Sequence, residues 1–103
     1  MIKVSVFYPN SEGSTFDLDY YVTKHMPMVE SEVGPALKGM SIDAGLAGGA
    51  PGAPAPYACI GHLLFNSVEA FQTSFGPKAG VIMADIPNYT NVAPVIQISE
   101  VKL

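Results

Sequence analysis

Asp17, Tyr21 and His25 are spaced i, i+4 and i+8, so a helix running through them carries all three side chains on one face. The chemistry such a face offers is acid–base. His25 would serve as general base or acid, Tyr21 as phenol donor or anion stabiliser, and Asp17 as the group that orients them. The same spacing also fits a helix with no such task, with Asp17 serving the helix N-terminus and Tyr21 packing. His62 stands between Ile60 and Leu64 in an apolar stretch. It reads either as a second pocket residue facing a ligand or as a satisfied histidine of the core or an interface. Tyr20, Tyr57 and Tyr89 would line a pocket for a hydrophobic ligand or fill an aromatic core. Met28, with Met1, Met26, Met40 and Met83, would line an adaptable apolar cavity or fill core gaps.

Composition removes several alternatives. The 103 residues include five Lys and no Arg, and the net charge is −4. A nucleic-acid partner needs a basic face, so none is expected. Bidentate Arg clamps on phosphate or carboxylate are ruled out. Two His and one Cys spread along the chain make no metal site. A lone His25 gives no support for haem, and no cofactor is expected. No glycine-rich loop between a strand and a helix cradles phosphate, and no Ser-centred nucleophile elbow is present. Cys59 has apolar neighbours and no nearby cation, which suits an inert buried thiol. A single cysteine forms no internal disulfide, and a cytoplasmic, reducing setting is expected. No apolar run reaches about 20 residues, so no membrane helix is expected. The opening Met1-Ile2-Lys3-Val4 lacks the features of a secretory leader.

The elements that must position these residues follow from periodicity. Residues 1–8 read as a strand ending at Pro9-Asn10. Ser14 or Thr15 looks like an N-cap for a helix from Phe16 to His25, with Asp17 and Asp19 in its first turn. Pro27 should break that helix and open a second, shorter one, which Gly34-Pro35 stops. Ending there, the first helix would place His25 at its C-terminus, which favours the imidazolium. Residues 37–46 read as a strand. Residues 47–56, built from Gly, Ala and Pro, read as a mobile hairpin connection. Residues 57–65 form a third strand. Asn66 and Glu69 resemble a capping box, and Val68, Phe71, Gln72 and Phe75 give a helical stripe. Gly76-Pro77 ends that helix, and another short one runs to about Ala84. Residues 85–93 read as a polar loop and 94–102 as the last strand.

The order is βαββαβ within one domain, 1–103: a ferredoxin-like α+β fold with a four-stranded antiparallel sheet and helices on one face. Strands 57–65 and 94–101 carry apolar residues at both parities. Helices cover one face only, and a wet face should alternate. A second copy of the sheet is the expected cover, giving a homodimer. Lys3, Ser5 and Phe7 share a strand face and would meet Gln97 and Ser99, as binding groups or as interface hydrogen bonds.

Phe16-Asp17-Leu18-Asp19-Tyr20-Tyr21 followed by His25-Met26-Pro27 resembles the EthD family, named after ethyl tert-butyl ether degradation. Lys38-Gly39, Tyr57, Phe65-Asn66-Ser67-Val68-Glu69-Ala70-Phe71 and Asp85-Ile86-Pro87-Asn88-Tyr89 extend the resemblance along the chain. It implies a dimeric α/β-barrel of two ferredoxin-like subunits and singles out His25, since His-x-Pro is the family's hallmark. It supplies no reaction. Its implied sphere is a small hydrophobic organic molecule, met by cofactor-independent isomerase, cyclase, lyase or monooxygenase chemistry, or by a non-catalytic protein supporting a degradation pathway.

Overall fold

Hydrophobic alternation builds the sheet. Strand β1 (Ile2–Pro9) sends Ile2, Val4 and Tyr8 to one side, and β3 (Tyr57–Phe65) sends Cys59, Leu63 and Phe65 to the same side. These residues meet in register, with Ile2 opposite Phe65, Val4 opposite Leu63 and Tyr8 opposite Cys59. Facing cross-strand pairs of this kind are the stabilising unit of a sheet. The computed structural model describes residues 1–103 and places β2 (Gly39–Ala44) beside β3 and β4 (Val95–Glu100) beside β1. The order is β2-β3-β1-β4, with every pairing antiparallel. This is the expected ferredoxin-like arrangement.

The helices lie on the side of Val4 and Leu63. A short helical turn α1 (Leu18–Tyr20) leads through a π-helical turn (Tyr21–His25) into α2 (Met26–Val33). Helices α3 (Val68–Phe75) and α4 (Ala79–Ala84) follow β3. Met26, Val29 and Val33 of α2 and Ile82 of α4 close the core over the sheet.

Three expectations about local structure are corrected. The first helix is capped by Asp17, whose carboxylate accepts the Tyr20 N–H, and not by Ser14 or Thr15. Residues before it run extended because Phe16 bridges to Thr90. Pro27 does not break the helix. The Met26 N–H bonds the Tyr21 carbonyl five residues back, and this wider turn admits an extra residue just before the proline. Pro27 then occupies the first turn of α2, where its missing N–H costs least. His25 is therefore inside a continuous helical path and not at a C-terminus. The third helix is capped by Ser67, whose Oγ accepts the Ala70 N–H, so the Asn66–Glu69 box does not form. The 47–56 connection is folded into turns: Gly48 N–H donates to the Ala53 carbonyl and Ala53 N–H to that of Ala50. The Asn10 side chain holds its far end through the Ala55 carbonyl.

The other sheet face carries Lys3, Ser5 and Phe7 of β1, Ile60, His62 and Leu64 of β3, and Val95, Gln97 and Ser99 of β4. A register shift between Tyr8 and Pro9 brings the Tyr57 ring to 5.1 Å from that of Phe7. No helix of this chain covers that face. No helix is long and apolar enough to cross a membrane.

Candidate active site

Two segments far apart in sequence are stitched together and thereby build the site. The Asp17 N–H donates to the Tyr89 carbonyl at 2.7 Å, and Thr90 Oγ1 donates to the Thr15 carbonyl at 2.6 Å. Asn91 accepts the Thr15 N–H and donates to the Gly13 carbonyl. These bonds fix Tyr89 against the start of the helix that carries Tyr21 and His25.

Tyr21 and His25 project from the wide turn toward the sheet, with rings stacked 5.3 Å apart. Their one-turn spacing was visible in the sequence. Gly61 makes the approach possible, because a Cβ there would run into the Tyr21 hydroxyl. Tyr89 lies 4.6 Å from the His25 ring, and Tyr8 and Phe16 complete an aromatic cluster edge-on to it. His25 and Tyr89 are both buried.

The carboxylate on His25 is Asp85, not Asp17. Asp85 Oδ2 is 2.9 Å from His25 Nδ1. Its other oxygen accepts the Tyr20 hydroxyl at 2.7 Å and the Asn88 amide at 2.9 Å. A carboxylate accepts, so Nδ1 carries the proton and Nε2 holds a lone pair. Tyr89 Oη lies 3.4 Å from Nε2, and Tyr8 Oη lies 2.7 Å from Tyr89 Oη. With Nε2 as acceptor, Tyr89 donates to His25 and Tyr8 donates to Tyr89.

Electrostatics keep this arrangement in one protonation state. Burial lowers the His25 pKa below the ordinary 6.5, and the opposing pull of Asp85 is weaker. The expectation of an imidazolium at a helix end is thereby corrected: near neutral pH the ring is uncharged. Burial alone would raise the Asp85 carboxyl, yet hydrogen bonds from Asn88, His25 and Tyr20 together hold it below 3.8. Burial raises the phenols of Tyr8, Tyr21 and Tyr89, so all three remain donors. Cys59 is fully buried, and burial pushes its thiol up to about 11. A thiol held protonated is no nucleophile.

Beside Tyr21, His25 and Tyr89 lies an apolar cavity of about 40 Å³ between sheet and helices. Val6, Met26, Leu63, Met83, Ile86 and Ile96 supply much of its wall. Met83 and Ile96 are 43% and 46% exposed, which marks its outer rim. The space holds about one or two waters as it stands.

The remaining sequence candidates fall elsewhere. Tyr20 reaches the site indirectly, by holding Asp85. Met28 packs half-buried against the core, outside the cavity wall. Asp17 borders a polar surface groove with Thr15, Asn88 and Asn91, and Asp17, Asn88 and Asn91 there already bond within the chain. His62 lies on the opposite sheet face, with Nδ1 3.0 Å from Ser5 Oγ and Nε2 3.1 Å from Asp43 Oδ2. Hydroxyl, imidazole and carboxylate stand in series there, as in a hydrolytic triad. However, β1 is paired on both sides, so its amides are committed to the ladder and none is free to stabilise an oxyanion.

Asp85 is the residue that the sequence reading missed. It stands four residues before Tyr89, and that spacing beside a proline was the available signal.

The EthD domain matches residues 14–93. An EthD-like protein from Ralstonia eutropha JMP134 has a crystal structure similar to this chain, at 43% identity and a TM-score of 0.94. The match covers 99% of this chain and 92% of that one. An ethyl tert-butyl ether degradation (EthD) family protein from Bacillus halodurans C-125 matches at 18% identity and a TM-score of 0.67, over 99% of both chains. HapK from Hahella chejuensis matches at 13% identity and a TM-score of 0.55, over 97% of this chain and 92% of its own. The latter two likenesses speak to the fold alone. No curated protein matches the chain.

Proposed function

The chain belongs to the EthD family, and on that premise we propose that it binds a small hydrophobic organic molecule in the cavity beside His25 and moves a proton on it without a cofactor. The observation that carries this reading is the His25–Asp85 pair at 2.9 Å. It leaves Nε2 unprotonated, with the Tyr89 hydroxyl donating to it, on a ring that lines the apolar cavity. A neutral imidazole oriented by a carboxylate is the form a general base takes. Tyr89 is the donor that would meet an anion formed there, with Tyr8 donating to Tyr89 behind it. His25→Ala removes a buried ring with its two hydrogen bonds and should still fold, at a cost of about 2–4 kcal/mol. Binding or turnover of a cognate ligand should fall about tenfold or more. Thermal-shift screening of phenols and lactones identifies the ligand. A variant that binds every such ligand normally would move the site elsewhere.

A second reading has its own support. Every buried polar side-chain atom is hydrogen-bonded, as in a binding protein whose cluster only fixes the fold. Hydrogen–deuterium exchange at the ligand's acidic position separates the two readings, since a binding protein does not accelerate it.

We also propose that a second copy covers the open sheet face. Phe7, Tyr57, Ile60, Leu64 and Val95 give that face an apolar part, around the polar centre of Ser5, His62 and Asp43. Sedimentation at micromolar concentration should report about twice 10.9 kDa. A stable monomer would contradict it. The reducing cytoplasm suits the lone buried thiol of Cys59.

A further inference from the structure

We propose that the molecule this cavity accepts is neutral on entry, carries one weakly acidic hydrogen on oxygen or on an activated carbon beside an apolar ring or short chain, and that carboxylates are refused. This deepens the acid–base reading above and rests on it.

The first support is the absence of a cation. No Lys lines the cavity, and the chain has no Arg. Lys24 sits over the Tyr20 ring at 5.5 Å from its centroid, Lys78 pairs with Glu32 and Lys102 with Glu100. Lys3 belongs to the open sheet face, and Lys38 precedes β2. An anion entering this space would lose its hydration without gaining a counter-charge. It would also meet the field of Asp85 through the imidazole.

The second support is charge balance along the hydrogen-bonded series. The ligand's O–H or C–H bond breaks, its electron pair stays on the ligand, and the proton goes to His25 Nε2. The imidazolium keeps its Nδ1–H on Asp85, 2.9 Å away, and so lies between two anions, Asp85 behind and the new ligand anion in front. The Tyr89 hydrogen, displaced from Nε2, turns to that anion, with Tyr8 donating behind it at 2.7 Å. The series closes only if the ligand arrives with that hydrogen in place. A ligand already ionised at that position gives Nε2 no proton, and the imidazole stays neutral beside it.

The third support is size. The cavity of about 40 Å³ must open to take even one ring. Its rim at Met83 and Ile96 is apolar and exposed, so the part of the ligand that passes it is apolar and small.

Three probes of one shape test this: para-nitrophenol, para-nitroanisole and para-nitrobenzoate. Difference spectroscopy and equilibrium dialysis are run on the full chain over a series from about pH 5 to 7, so that binding is followed as the free phenol and His25 each change charge. The phenol should bind about tenfold more tightly than the anisole. Its bound spectrum should show the phenolate band, lost in His25→Gln. The benzoate should not bind. Equal binding of phenol and anisole with no phenolate band, or tight binding of the benzoate, overturns the substrate class while leaving an apolar binding pocket in place. Failure of all three probes overturns the pocket reading together with it. Circular dichroism of His25→Gln confirms that the comparison is between folded proteins.

Discussion

Asp85→Ala is expected to lower the unfolding free energy by about 3 kcal/mol and to abolish the defined orientation of His25. The change removes three side-chain hydrogen bonds at once, from His25, Tyr20 and Asn88. Tyr20 and Asn88 are near solvent and recover water as a partner. The His25 Nδ1–H is buried and does not, so most of the cost falls there. Bonds to an ionised acceptor are about twice as strong as neutral ones, which adds to the loss. Asp17→Ala is the contrasting variant. It removes one cap bond to the Tyr20 N–H, costs about 1 kcal/mol and should leave ligand binding unchanged. Urea unfolding of both variants, with the same ligand titrated into each, measures the difference. Equal effects of the two substitutions would mean that Asp85 has no particular hold on His25.

Tyr89→Ala is expected to cost about 3–5 kcal/mol, enough to unfold much of the population. Tyr89 is 3% exposed and packs against Tyr8, Phe16, Tyr21 and His25. Its backbone carbonyl also anchors Asp17, so a cavity there loosens the entry to the helix. Tyr89→Phe separates packing from hydrogen bonding. The ring stays, while Tyr8 Oη and His25 Nε2 lose their shared partner. The expected loss is about 1–2 kcal/mol, with ligand binding reduced but not abolished. Thermal and urea unfolding of the pair distinguish the two contributions.

The fold was legible because strands and helices announce themselves by period. β1 alternates in part, β3 is rich in apolar residues between turns, Gly and Pro punctuate those turns, and the order βαββαβ admits few topologies. The Tyr21–His25 pairing was legible for the same reason, since a one-turn spacing survives the wide turn. What Pro27 does was not legible. Whether a proline breaks a helix or is absorbed depends on which carbonyl the preceding amide reaches, and residue types do not encode that choice. Asp85 was hidden by distance. It meets His25 across 60 residues, and the contact exists only because Phe16 and Thr90 bridge their two segments. The side of His62 was undecidable because β3 is apolar at both parities. Pairing with β1, where Val4 faces Leu63 and Ser5 faces His62, assigns it.

The central claim is that His25 is an uncharged base beside the cavity, with Nε2 unprotonated. Nitrogen-15 NMR of the imidazole reports it directly. The structure predicts Nδ1 protonated and Nε2 unprotonated near neutral pH, with titration to the imidazolium displaced below the ordinary 6.5. A ring protonated on Nε2, or an imidazolium persisting at neutral pH, would contradict the account.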